Sequence, residues 1–125
     1  MAMPKIFITS QITDNTVTMV AKNNDDQIIT QSSSRISNNQ DVTGASLTAL
    51  NRIMSQIATG NNVKLVNFDR SFVNALTREY RVWRKFNWTI RGADVKNRKL
   101  WNEWNSLRRN NKIYAENDPL PIVKK

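Results

Sequence analysis

The sequence predicts an α/β domain on a mixed sheet, and three observations predict it. Its opening holds three short runs rich in β-branched and apolar residues, separated by polar turns. An amphipathic helical pattern and a mostly apolar run follow, and two further helical patterns lead to a last short strand. Strand-strand-strand-helix-strand-helix-helix-strand puts an antiparallel meander first and needs a helical crossover before a parallel strand can be added. At 125 residues the chain can bury one real core and not two.

Lys5 to Ile12, Thr16 to Lys22 and Gln27 to Ser33 read as the three strands, divided at Asp14-Asn15 and at Asn23 to Asp26. From Thr43 to Ala58, Leu47, Leu50, Ile53, Met54 and Ile57 recur at three- and four-residue spacing, so this is a helix. Asp41 or Thr43 can cap it, and Gly60 ends it. Val63 to Phe68 is apolar enough for a strand buried on both faces, with Asp69 at its carboxyl end. Phe72, Val73, Leu76, Tyr80 and Trp83 then follow helical spacing. A second helical pattern runs from about Val95 to Arg109, with Leu100, Trp101, Trp104 and Leu107 on one stripe. Lys85 to Asp94 reads as a basic loop between them, and Lys112 to Glu116 as the last strand. Residues 1–118 are expected to be the domain and residues 119–125, opening on Pro119-Leu120-Pro121, an extended tail.

The formal charge is +9, and it is lopsided. Up to Gly60, Lys5, Lys22, Arg35 and Arg52 are balanced by Asp14, Asp25, Asp26 and Asp41, so the excess lies wholly in the second half. There, from Tyr80 to Lys112, Trp83, Trp88, Trp101 and Trp104 are interleaved with Lys and Arg. Flat stacking faces beside phosphate-neutralising charge suit a nucleic-acid backbone. The same strip also fits buried tryptophans behind a solvated cationic helix face. A one-sided field gathers polyanions but does not separate nucleic acid from an acidic protein or an anionic membrane.

The absences limit the chemistry. With no His and no Cys there is no Ser-His-Asp or Cys-His pair, zinc finger or thiol redox site. Gly44, Gly60 and Gly92 are too few and too scattered for a phosphate-cradling loop, and no cofactor is implied. Carboxylate chemistry with hard metal ions remains, but the acids are dispersed along the chain. No apolar run approaches the roughly 20 residues of a membrane helix. Met1 to Ile8 has no secretory apolar region either. A cytoplasmic protein with no membrane partner is expected.

Four stretches resemble the ribonuclease H family. Arg35-Ile36-Ser37-Asn38-Asn39-Gln40 is similar to the Arg-x-Thr-Asn-Asn-Arg stretch before that family's first helix. Leu65 to Asp69, followed by Phe72-Val73, is similar to its fourth strand and terminal Asp. Trp83-Arg84-Lys85-Phe86-Asn87-Trp88 resembles the Trp-Lys-Lys-x-Gly-Trp of its basic protrusion. Val95-Lys96-Asn97 to Leu100-Trp101 resembles the Val-x-Asn-x-x-Leu-Trp that opens its next helix. Together they cover Lys5 to about Glu116 in the family's order. The resemblance implies a mixed five-stranded sheet, three antiparallel strands then two parallel, with flanking helices and truncated before the last family helix.

The resemblance also implies what is lost. Ribonuclease H enzymes hold two divalent ions between four carboxylates. The first-strand Asp falls here on Thr9 or Ser10, the helix Glu on Val42 with Asp41 one position off, and only the strand-end Asp is matched, by Asp69. One residue on a helix is a turn of about 100°, so Asp41 is expected to face away. The remaining carboxylate and the family's histidine have no counterpart, so no hydrolysis is expected and Asp69 is a vestige rather than a metal ligand.

The binding positions are better kept. The resemblance implies that Arg35, Ser37 and Asn97 seat a DNA phosphate and that Asn38 and Asn39 approach the minor groove, where ribose 2′-hydroxyls mark RNA. Trp83, Arg84, Lys85 and Trp88 would ride the backbone, with Arg91 and Lys96 in the same basic strip. The expected ligand is an RNA–DNA hybrid or another A-form-containing duplex. Each residue has a structural alternative. Arg35 to Asn39 can form a polar turn and cap, Asn97 can simply start a helix, and Trp83, Trp101 and Trp104 can be core. Two other functions stay open. The fold can serve as an interaction module, of phage or mobile-element origin, for an acidic surface on a partner protein. Asp69 and Asp41 could also support a residual metal-dependent nuclease.

Overall fold

β1 (Lys5–Thr13), β2 (Thr16–Lys22) and β3 (Ile28–Arg35) form the expected antiparallel meander. Asp14 and Asn15, at φ 51 and 60, make the tight two-residue turn whose twist matches paired strands. The computed structural model describes residues 5–115; Glu116 and the proposed boundary and tail at 118–125 lie outside them. Burial alternates along β2: Val17, Met19 and Ala21 are fully buried while the residues between them are only half covered.

α1 (Val42–Gln56) crosses over the sheet, and Asp41 caps it by accepting from the Gly44 N–H at 2.8 Å. Leu47, Leu50, Ile53 and Met54 form its buried stripe. The helix stops before the expected Ala58, because Ile57 turns to an extended conformation at φ -91, ψ 152. Gly60, at φ 85, belongs to the connection and not to the helix end. β4 (Asn62–Val66) then pairs parallel to β1, and β7 (Lys112–Ala115) parallel to β4, so the sheet order is β3-β2-β1-β4-β7. β4 is not buried on both faces as expected. Val63 and Leu65 point into the core, whereas Lys64 is half-buried because its ammonium must reach water.

After β4 the chain forms one irregular helical rod: α2 (Arg70–Asn74), a π-helical turn (Ala75–Glu79) and α3 (Tyr80–Lys85). The wide turn brings Ala75, Leu76 and Tyr80 inward. Lys85 to Asp94 is not simply a loop. It holds a two-stranded hairpin, β5 (Thr89–Ile90) and β6 (Ala93–Asp94), closed by Arg91 and Gly92 at φ 52 and 86. Both turn residues need positive φ, which Gly92 adopts freely and which periodicity cannot register. α4 (Arg98–Leu107) starts three residues later than the pattern suggested, and a 3-10 turn, Arg108–Asn110, leads into β7. Trp101 and Trp104 are buried on it, and the Trp104 indole N–H donates to the Leu76 carbonyl at 3.0 Å. That bond ties α4 to the π turn. Among the described residues no helix is long and apolar enough to cross a membrane.

Candidate nucleic-acid interface

Between β3 and α1 the chain reverses through residues 35–40, and one side chain knits the turn together. Gln40 donates to the Ser34 hydroxyl and the Arg35 carbonyl, both at 2.9 Å, and its carbonyl accepts from the Thr48 hydroxyl at 3.1 Å. Ser37 and Gln40 exchange backbone hydrogen bonds, and the Ser37 hydroxyl accepts from the Asn39 N–H at 3.3 Å. Arg35, Ser37, Asn38 and Asn39 all remain exposed. The turn is thus both the polar structure that composition suggested and a rigid platform with free donors.

Asn97 comes to this turn from the other end of the chain. It sits at φ 65 as the N-cap residue of α4, yet its side chain caps nothing there; its amide donates instead to Asp41 Oδ1 at 3.2 Å. Gly44 makes the approach possible. A Cβ at Gly44 would lie 2.9 Å from Asn97 Oδ1 and 3.2 Å from the Gln40 side chain, so any larger residue would push Asn97 away. The turn and Asn97 therefore converge on the first turn of α1.

Asp41 is the hub of this cluster. As the cap it lies before the helix, its carboxylate bound to the Gly44 N–H of the first turn. Lys96 Nζ stands 3.2 Å from Asp41 Oδ2, so Lys96 is exposed but paired. Burial works to raise the Asp41 pKa. The Gly44 N–H, the Asn97 amide and the Lys96 ammonium outweigh it, and the carboxyl sits below its ordinary 3.8. A group depressed on folding stabilises the fold above its unfolded pKa and loses that contribution as pH falls through the folded value. In urea titrations, wild type should therefore lose stability below about pH 4 more steeply than Asp41→Asn, which keeps the cap without the charge. Parallel acid limbs would refute the depressed carboxyl.

Where β1 and β4 end, a crevice of about 410 Å³ opens between Ser10, Ile12, Val42, Ser46, Asn67, Asp69 and Phe72. Asn67 closes one side by donating to the Ser10 carbonyl at 3.0 Å. Asp69 caps α2, accepting from the Phe72 N–H at 3.2 Å. Asp69 also shares the rim of a neighbouring cavity of about 320 Å³ with Asp41, over walls that include Phe72, Trp83, Val95 and Trp101.

On the segment that resembles the family's basic protrusion, the end of the rod and the hairpin, Arg84, Lys85 and Arg91 are exposed and, among the described residues, make no ion pair. Among the tryptophans, Trp88 departs from the expected contact role. Trp88 is only 7% exposed and belongs to the core, because Asn87 and Trp88, at φ 58 and 61, fold the chain back and turn the indole inward. It is not available for contact. Trp83 is half-buried, edge-on to Trp101 with ring centroids 5.2 Å apart. The exposed apolar residues here are Val82, Phe86 and Ile90, which the sequence reading passed over.

No protein-family model and no curated protein matches the sequence. Solved structures do match. The protease-reverse transcriptase of a foamy virus in complex with RNA/DNA hybrid superposes with a TM-score of 0.66 at 14% identity, covering 94% of this chain and 18% of that one. The solution structure of a foamy-virus RNase H domain gives 0.57 at 11% identity, covering 98% and 83%. LC9-RNase H1, a type 1 RNase H with the type 2 active-site motif, gives 0.61 at 13% identity, covering 92% and 63%. The chain has the ribonuclease H-like fold.

That fold implies divalent ions held where β1, β4 and α1 meet. The residues present do not fit them. The crevice offers Ser10, Val42 and one carboxylate, Asp69, whose Oδ2 is already committed to a helix cap. Asp41, the nearest alternative, has both oxygens engaged, by Gly44, Asn97 and Lys96. Among the described residues no three acidic side chains gather. Hard cations need several oxygen ligands converging, and a ribonuclease H-like crevice of this composition supplies too few.

Proposed function

We propose that this chain binds nucleic acid without hydrolysing it, and that its preferred ligand is an RNA–DNA hybrid or another A-form-containing duplex. The observation that carries the reading is an asymmetry. The crevice of the fold has one carboxylate, while Asn97 is held at the start of α1 by Asp41, and the turn that leads into the same helix carries Arg35 and Ser37 exposed. The Asn97 amide has a second hydrogen beyond the one given to Asp41, and the Ser37 hydroxyl still has its own proton to donate. A phosphate seated there also meets Lys96, which it shares with Asp41. Arg84, Lys85 and Arg91 supply unpaired charge along the protrusion. The foamy-virus relatives of this fold seen with RNA/DNA hybrid and with dsDNA support the ligand class.

Titration of labelled hybrid, duplex DNA and single strands at two salt concentrations tests this. Binding should weaken steeply with salt and be tightest for the hybrid. Arg35→Ala or Asn97→Ala should cost about 1–3 kcal/mol of binding, as for a lost hydrogen bond to a charged group. Equal and negligible binding to every ligand would end the proposal. Magnesium- or manganese-dependent cleavage abolished by Asp69→Asn would end its non-hydrolytic half.

A further inference from the structure

The exposed face of the protrusion carries an apolar feature that the phosphate seat does not explain. Phe86 is 65% exposed, Val82 54% and Ile90 46%, and together with Trp83, Thr89, Arg91 and Gly92 they line a groove of about 380 Å³. The ring is not on a loose segment. The Phe86 N–H donates to the carbonyls of Val82 and Trp83 at 3.3 and 3.1 Å, and its carbonyl accepts from the Thr89 hydroxyl at 2.7 Å. Its backbone is therefore fixed at the junction of α3 and the hairpin, with the aromatic face held out to water. Such a face is normally buried, so its exposure points to an occupant.

The surrounding charge selects that occupant. From Arg78 to Arg91 the exposed side chains include Arg78, Arg81, Arg84, Lys85 and Arg91 against the single acid Glu79. A neutral protein surface docking here would have to desolvate those cations without return, and protein interface cores are depleted of charge for that reason. A polyanion with flat rings gains from both features. Within a duplex each base has its faces covered by its neighbours, so only an unpaired or terminal base can offer one to Phe86.

Resting on the nucleic-acid reading above, we propose that Phe86 is a stacking platform for unpaired nucleobases. Val82 and Ile90 flank the base, and Arg84, Lys85 and Arg91 hold the adjoining phosphates. The protein would then recognise a junction, duplex on the Arg35–Asn97 side and single strand on the protrusion.

Anisotropy titrations of wild type, Phe86→Ala and Phe86→Tyr test this with three ligands: a blunt hybrid, the same hybrid with a short single-stranded extension on either strand, and that hybrid with an abasic extension. The extension should tighten wild-type binding about tenfold more than its abasic counterpart, which carries the same phosphates. Phe86→Ala should lose that base-dependent gain and Phe86→Tyr should keep it. Because Phe86 is outside the core, the variants' near-ultraviolet dichroism should match wild type. An abasic extension as good as a normal one, or a gain untouched in Phe86→Ala, would overturn the platform and leave the face to a protein partner. Failure of the blunt hybrid to bind would instead overturn the reading beneath it.

Discussion

Trp104→Ala should lower the stability of the fold by about 3–5 kcal/mol, the range for deleting a fully buried large aromatic side chain. Trp104 has no exposed surface and joins the core where α4 meets the π turn. Its removal leaves a cavity, and it also strips the Leu76 carbonyl of the indole donor, a further cost of about 1–3 kcal/mol if water cannot enter. Domains of this size are stable by only about 5–15 kcal/mol, so the variant should approach the edge of folding. In urea the midpoint should fall by roughly 2 M at an unchanged slope, taking about 2 kcal/mol per molar for that slope. Trp104→Phe keeps most of the volume and loses the N–H, so it should fall between wild type and Trp104→Ala. A loss below about 1 kcal/mol for Trp104→Ala would mean that the indole is not seated in the core, and the tryptophans of the strip would return as candidate contacts.

That test bears on what was legible in the sequence. Trp101 and Trp104 share an apolar stripe with Leu100 and Leu107, and helical period alone separates them from the ligand. Trp88 has no such stripe. Its burial follows from consecutive left-handed residues, Asn87 and Trp88, a conformation a bulky side chain seldom adopts and no pattern announces. Phe86 shows the opposite case, an exposed ring that residue type alone does not tell from a buried one. The hairpin of Thr89-Ile90 and Ala93-Asp94 turns on Arg91-Gly92, and strands of two residues are too short for periodicity to find.

The strands, their order and the crossover helix were readable because burial imposes period and turns demand particular residues. The candidate site was not readable in that way. Asp41 and Asn97 are 56 positions apart, and nothing local to either foretells their hydrogen bond. Resemblance placed Asn97 near the turn and Asp41 one position from a lost carboxylate, but it showed neither the bond between them nor the space that Gly44 leaves. Both became visible only once α4 lay against α1. The departures from the family's carboxylate pattern, at Thr9 or Ser10 and at Val42, with Asp69 the one match, could by contrast be counted from residue identity alone.

Replacing Arg84, Lys85 and Arg91 together by Gln should weaken binding of the hybrid with a single-stranded extension about a hundredfold near physiological salt. Each phosphate contact contributes about 0.9 to the slope of log affinity against log salt, so three lost contacts should flatten that slope by about 2.7. The free energy is about 2.7 kcal/mol, comparable to loss of the phosphate seat. Because these side chains are exposed and, among the described residues, unpaired, the substitutions should leave the urea midpoint nearly unchanged. Lys96→Gln is the informative contrast. Lys96 already neutralises Asp41 at 3.2 Å, so a phosphate gains only part of its charge, and the slope should fall by less than for any of the three. Lys5→Gln with Lys22→Gln tests distribution against net charge, since both lie in the balanced half and Lys22 is paired with Asp26 at 3.3 Å. If that pair weakens binding as much per charge as the protrusion triple, the affinity comes from the overall field, and the protrusion has no special part in holding the backbone.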